Sequence, residues 1–224
     1  GRLHRGDEPL LLEAALEQVP SPQVVFASTD AVYEKYVPGG MTRPISEESP
    51  RQPRGDYAVS KAVAEELCSG YWRTHSLPVT ILRFANIKAG DEILSFPQFF
   101  LGKMRHADPE LGRLWSGEEQ LLLLKDSFGR YFKKHIADVR DIVHGCICAL
   151  AKERAYGETF QLAAPKPFTW DEAVYRLSEV LQLPIVEATP GGTPTYYEFD
   201  LEKAQQSINF QPQYDIVRMM VDGL

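Results

Sequence analysis

Two kinds of apolar run alternate along the chain. Residues 23–29, QVVFAST, are almost continuously apolar and rich in β-branched and aromatic side chains. That is the pattern of a strand covered on both faces in a parallel sheet. Residues 79–85, VTILRFA, repeat it after Leu77-Pro78, and residues 157–163 and 184–188 read as further strands. Between them stand segments of helical period. In EPLLLEAALEQ, residues 8–18, Pro9 suits a first turn and Leu, Ala and Glu propagate well. From about Tyr57 to Thr74, Val59, Val63, Leu67 and Tyr71 recur every four positions, which predicts a helix with one buried stripe. A helix is also expected over 136–153, with Asp138 and Asp141 near its start and Lys152 and Arg154 near its end, the order a helix dipole favours. Thr169 is expected to cap a helix over 170–181, and 200–208 to form a short one. Residues 34–55, rich in Pro, Gly, Ser and charge, read as a long loop, and 90–134 as short helices and loops. Helix, strand, loop, helix, strand is the order of a doubly wound α/β sheet.

Composition narrows the classes without choosing among them. Apolar residues are 44% and charged residues 25% of 224, ordinary for a globular protein. A net charge of −7, from 31 acids against 24 bases, argues against a general nucleic-acid binder. No apolar run approaches the roughly 20 residues that span a bilayer, so no membrane partner is expected. Gly1-Arg2-Leu3-His4 shows no leader pattern. Cys68, Cys146 and Cys148 fit neither a disulfide framework nor a zinc site. They read as structural thiols, no metal is expected, and a reducing cytosol is the expected location.

Candidate chemistry begins at Tyr57 and Lys61, a Y-x-x-x-K pair on the predicted helix. That spacing sets two side chains on one face, about 6 Å apart at Cβ. An ammonium beside a phenol stabilises the phenolate, so the phenol can exchange a proton with a sugar or alcohol hydroxyl. Upstream, a buried strand ends in Ser28-Thr29-Asp30, followed by Ala31-Val32-Tyr33. Downstream come Leu82-Arg83-Phe84-Ala85-Asn86, then GRYFKKHIADVRD over 129–141, then Gly157-Glu158-Thr159-Phe160-Gln161-Leu162.

These segments, in this order, resemble the extended short-chain dehydrogenase/reductase (NAD-dependent epimerase/dehydratase) family over nearly the whole chain. Its S-[ST]-x-x-V-Y strand end matches Thr29 to the catalytic hydroxyl, its L-R-x-x-N strand end matches Asn86, and its R-x-F-x-H-V-x-D segment matches His135 and Asp138. The resemblance implies a Rossmann-like fold in two parts: a partial core over 1–86 and a small C-terminal substrate lobe over 87–224 with excursions back to the core. It implies a sugar-nucleotide epimerase or reductase using NAD or NADP. Tyr57 would be the acid/base, Lys61 would tune it and bind the nicotinamide ribose, Thr29 would orient the substrate oxygen, and Asp30 would be a secondary acid. Ser28 and Phe84 would border the cofactor with Tyr57 and Lys61, while Asn86, Arg130 and His135 would meet substrate. A homodimer is expected.

Departures matter as much. The family's T-G-x-x-G-x-x-G turn, whose backbone meets the cofactor pyrophosphate, is matched by none of the 16 glycines. The first residues resemble the family's fourth helix, so the N-terminal half of the sheet is expected to be missing and NAD(P) to bind these residues weakly. That leaves open a fragment, a half supplied by a partner, or a cofactor-free binding or scaffold relative. Ser28-Thr29-Asp30 is similar to the S-T-D of sugar-nucleotide dehydratases and deoxysugar ketoreductases, but Ala31 stands where the dehydratases carry their basic Glu. Tyr131 stands where the family often has a phosphate-gripping Arg, with Arg130, Lys133 and Lys134 around it.

Overall fold

The computed structural model describes residues 8–18 and 20–224; the opening residues Gly1-Arg2-Leu3-His4 lie outside them. Helix α1 (Glu8–Leu16) leads to strand β1 (Val24–Thr29), and after the long loop come helix α2 (Gly55–His75) and strand β2 (Val79–Phe84). β1 and β2 are parallel, with Val24 opposite Val79 and Thr29 opposite Phe84. β2 is buried along nearly its whole length, as its apolar run predicts. β1 differs: Val24, Val25 and Phe26 are half-buried, Ala27 is exposed, and only Ser28 and Thr29 are buried. The cause is position, since β2 lies between two strands while β1 has β2 as its only strand partner among the described residues. Helix α1 packs Leu12 and Ala15 with Val24, Phe26 and Cys68 on one face of the sheet.

The face that α2 turns to the sheet corrects the expected stripe. Val59, Val63 and Leu67 are exposed, and the buried positions are Ala58, Ala64, Glu65 and Cys68. Small side chains let the helix approach the sheet closely, and Glu65 is drawn inward by Arg83 of β2.

Beyond β2 follow β3 (Asn86–Lys88), α3 (Gly90–Leu94), α4 (Leu101–Met104), α5 (Pro109–Leu114), β4 (Leu121–Leu124), β5 (Lys133–Lys134) and β6 (Ile136–Asp138). β6 pairs with β3, so the helix expected from 136 begins later, as α6 (Val139–Ala149). The Asp138 carboxylate caps it, accepting the Arg140 backbone N–H at 2.8 Å. β7 (Thr159–Leu162) completes a parallel sheet of order β1-β2-β7. β8 (Phe168–Thr169) pairs with β5, and α7 (Trp170–Leu181) starts where expected, although the Thr169 side chain makes no capping bond. β9 (Ile185–Ala188) pairs with β4, and α8 (Glu202–Ile208) and α9 (Ile216–Asp222) close the chain. One apolar core gathers Phe99, Phe132, Phe168 and Trp170 with the four leucines of β4. Another joins β2, β7, α6 and α8 with Tyr33, Tyr197 and Phe199. No helix is long and apolar enough to cross a membrane among the described residues.

Candidate active site

Strand alternation separates the two hydroxyls that end β1. Successive strand residues face opposite sides, and Ser28 and Thr29 do different work. The Ser28 hydroxyl donates to Glu65 Oε1 at 2.5 Å. Glu65 is clamped by Arg83, whose Nε donates to Oε1 at 2.9 Å and Nη2 to Oε2 at 2.7 Å. Arg83 Nη1 donates to the Tyr33 hydroxyl at 2.6 Å and to the Glu47 carbonyl at 3.1 Å. Burial pushes the Tyr33 phenol up to about 12. Burial also works against the Arg83 charge, but Glu65 and Tyr33 outweigh it and the guanidinium is held more strongly protonated than usual. Thr29 turns away from this network: its hydroxyl accepts the Ala31 N–H at 3.2 Å and caps the short turn Asp30–Val32.

Ser28, Thr29, Asp30, Tyr57, Phe84 and Asn86 all line one cavity of about 630 Å³. It opens beyond the C-terminal ends of β1 and β2, where ligands of open α/β sheets sit. Gly55 makes the entry to α2 possible: its φ of +78° is a conformation that a side chain resists. Tyr57 follows two residues later, 44% exposed at the cavity wall.

Three other expected site residues stand elsewhere. Lys61 is outside the lining; its Nζ donates to the Ala27 carbonyl at 2.9 Å and lies 4.9 Å from the Phe26 ring centre, on β1. Arg130 pairs with Asp126, donates to the Gly39 carbonyl at 2.7 Å and stacks on Tyr196, lining a separate cavity of about 280 Å³ with Arg43 and Lys133. His135 is 1% exposed, and both ring nitrogens are engaged. Nε2 donates to the Ala164 carbonyl at 2.8 Å, and Nδ1 accepts the Phe199 N–H at 3.0 Å, which fixes a neutral tautomer. Burial lowers this imidazole to about 4, against the opposing pull of the Ala164 carbonyl.

The cavity also contains residues that were not expected in it: Lys35, Tyr36, Lys134 and Tyr197. Lys35 is ion-paired with Asp30, both buried, and sits 5.1 Å from the Tyr197 ring centre. Tyr36 meets Tyr197 edge-on at 5.8 Å. Lys134 was named in advance only within the basic pair Lys133-Lys134, which forms β5, and Lys35, Tyr36 and Tyr197 carried no advance signal. Among the described residues no group of His, Cys, Asp and Glu is placed to hold a metal ion.

A parallel sheet with hydroxyl, carboxylate and phenol gathered at its C-terminal edge defines a Rossmann-like α/β protein of the short-chain dehydrogenase/reductase type. The sequence profile of the NAD dependent epimerase/dehydratase family matches residues 9–163, and the chain belongs to that family. It is 35% identical over 77 residues to human dTDP-D-glucose 4,6-dehydratase, a match covering 34% of this chain and 21% of that protein. It is 25% identical over 214 residues to the uncharacterized UDP-glucose epimerase YtcB of Bacillus subtilis (strain 168), covering 90% of this chain and 59% of that one. The crystal structure of a short-chain dehydrogenase/reductase superfamily protein from Agrobacterium tumefaciens with bound NAD superposes with a TM-score of 0.82 at 27% identity, over 100% of this chain and 75% of that one. The matches thus span about a fifth to three fifths of the curated relatives' lengths.

Proposed function

We propose that the chain carries the catalytic and substrate-binding part of an NAD(P)-dependent sugar-nucleotide epimerase or reductase. The observation that supports this most is the convergence of Thr29, Asp30, Tyr57 and Asn86 on one cavity at the sheet's C-terminal edge. Relatives named for dTDP-glucose and UDP-glucose chemistry point the same way. Tyr57 exchanges a proton with the reacting hydroxyl, Thr29 holds the oxygen as it becomes a carbonyl, and Asp30, ion-paired with Lys35, is a secondary proton-transfer group. Residues 87–224 supply most of the substrate lobe, with excursions back to the core, and Asn86 ends the core beside it. Arg130, beside Arg43 and Lys133, is proposed to grip a diphosphate, and His135 to brace the wall from behind, since its own protons are committed.

The residues present fit the nicotinamide end of a dinucleotide. Lys61 offers a cationic donor beside Ala27, Tyr57 and Phe84 lie close to the same strand ends, and Ser28 is fixed by Glu65. Bound there, the cofactor would accept and return a hydride. Of NAD and NADP, the Agrobacterium tumefaciens structure with bound NAD favours NAD. A homodimer in the cytosol completes the reading: Leu10, Leu11, Val59 and Val63 are exposed, and a second copy would cover them.

The test is turnover of UDP- and dTDP-linked hexoses with NAD or NADP supplied, followed by cofactor absorbance and by sugar analysis. Epimerised or reduced sugar supports the proposal. Loss of water from the sugar would contradict the role of Ala31 in excluding dehydration, and no reaction with any pair favours a cofactor-free binding protein or a non-catalytic fragment of such an enzyme.

A further inference from the structure

The cavity floor holds more positive charge than its own acids balance. Lys35 and Lys134 are 7% and 5% exposed, and the buried carboxylate beside them is Asp30, at 5%. Asp30 is ion-paired with Lys35. Lys134 forms no ion pair with any described residue; its one hydrogen bond is from Nζ to the Gln98 amide oxygen at 2.7 Å, with the Phe96 ring 4.8 Å away. An ammonium has three protons to donate, and a buried one without a carboxylate is costly. Burial lowers Lys134 to about 8, with Lys35 and Lys88 pushing in the same direction and Asp30 opposing them. Tyr197, 1% exposed, lines the same cavity, and its hydroxyl completes no hydrogen bond by strict geometry, with Tyr36 a looser neighbour. Burial raises that phenol well above its usual range, so it stays a donor.

We propose that Lys134 and the Tyr197 hydroxyl form an anion subsite that takes a carboxylate on the substrate's sugar. This rests on the sugar-nucleotide reading and narrows it to acidic sugars. Charge decides for a carboxylate over a phosphate. The buried cluster of Lys35, Lys134 and Asp30 has one positive charge in excess, matching one carboxylate, whereas a doubly charged phosphate would leave a negative charge over, because Glu34 at the rim is already paired with Arg54. The subsite shares the cavity with Thr29 and Tyr57, so a carboxylate held there would belong to the reacting ring.

Calorimetry with four probes, UDP-glucuronate, UDP-glucose, D-glucuronate and D-glucose, tests this, with inorganic phosphate as competitor. The acid of each pair is expected to bind at least tenfold tighter than its neutral partner. Lys134→Met should erase that ratio and Lys134→Arg should keep most of it. Lys134→Met should also melt at or above the wild-type temperature, because an unbalanced buried charge is gone; a lower melting temperature counts against the proposal. Equal binding of UDP-glucuronate and UDP-glucose overturns the subsite and leaves the nucleotide-sugar reading standing. Lys134-dependent binding of D-glucuronate without binding of either UDP sugar keeps the subsite and overturns that reading. Binding of no probe overturns both, and inorganic phosphate displacing D-glucuronate at equal concentration overturns the choice of carboxylate.

Discussion

Arg83 with Glu65 and Lys35 with Asp30 are both ion pairs shut away from water beside the ends of β1 and β2, yet their surroundings differ. Around Arg83 every group is answered: a bidentate carboxylate, the Tyr33 hydroxyl, the Glu47 carbonyl and the Ser28 hydroxyl on Glu65. Nothing is left over for a ligand, and the network's effect is to lock Ser28 and the α2 backbone against the sheet. Around Asp30 the balance is incomplete, because Lys134 adds an ammonium with only an amide oxygen for company. Closed charge builds the scaffold; open charge faces the cavity.

The largest expected effect breaks the closed side. Glu65→Leu leaves Arg83 buried and unpaired, which should lower stability by about 3–5 kcal/mol in urea unfolding. Adding Arg83→Met removes the orphaned charge and should restore much of the loss. A single substitution costing under about 1 kcal/mol would mean that water reaches the pair.

His135 sharpens the same contrast through pH. Its folded-state pKa is depressed to about 4 by burial, so the unfolded chain binds the proton more readily. Stability from this residue is complete above about 6.5 and falls as pH drops towards 4, by about 3 kcal/mol in all. Urea melts across that range should show the slope, and His135→Gln should flatten it. An unchanged slope in the variant would assign the acid sensitivity to other groups.

The smallest effect belongs at the rim. Arg54 is paired with Glu34 but is largely exposed, and Arg54→Ala should change thermal stability by less than about 1 kcal/mol. A larger loss would make the rim part of the scaffold.

How much of this could be read in advance depended on whether neighbours in sequence or neighbours in space decide a residue's role. β2 and β7 announce themselves because their burial is two-sided, and α7 because its polar and apolar faces are distinct. Ile136-Ala137-Asp138 read as helix because only the remote β3 makes them a strand, and β4 is a strand of four leucines that pairing with β9 imposes. On α2 the four-residue stripe was real but turned outward, since Ala58, Ala64 and Glu65 suit a close sheet and a waiting Arg83 better than Val59 and Val63 would. At the candidate site, Thr29, Asp30, Tyr57, Phe84 and Asn86 were named from local motifs, and the fold brings them to one cavity because each stands where an element ends or begins. Tyr197 was not named, because its neighbour Tyr36 lies far off in sequence. Lys134 was read only as a neighbour of a basic contact, and its burial beside Lys35 and Asp30 comes from the fold.

Tyr57 is where the account is most exposed to test. Tyr57→Phe keeps the ring at the cavity wall and removes the transferable proton. With the nucleotide sugar and cofactor that the wild-type protein turns over, kcat should fall by about 10²–10⁴, the usual cost of losing a general acid–base. KM and unfolding midpoint should stay near wild type. Turnover unchanged by Tyr57→Phe would remove this phenol from the reaction and with it the assignment of the cavity as an active site.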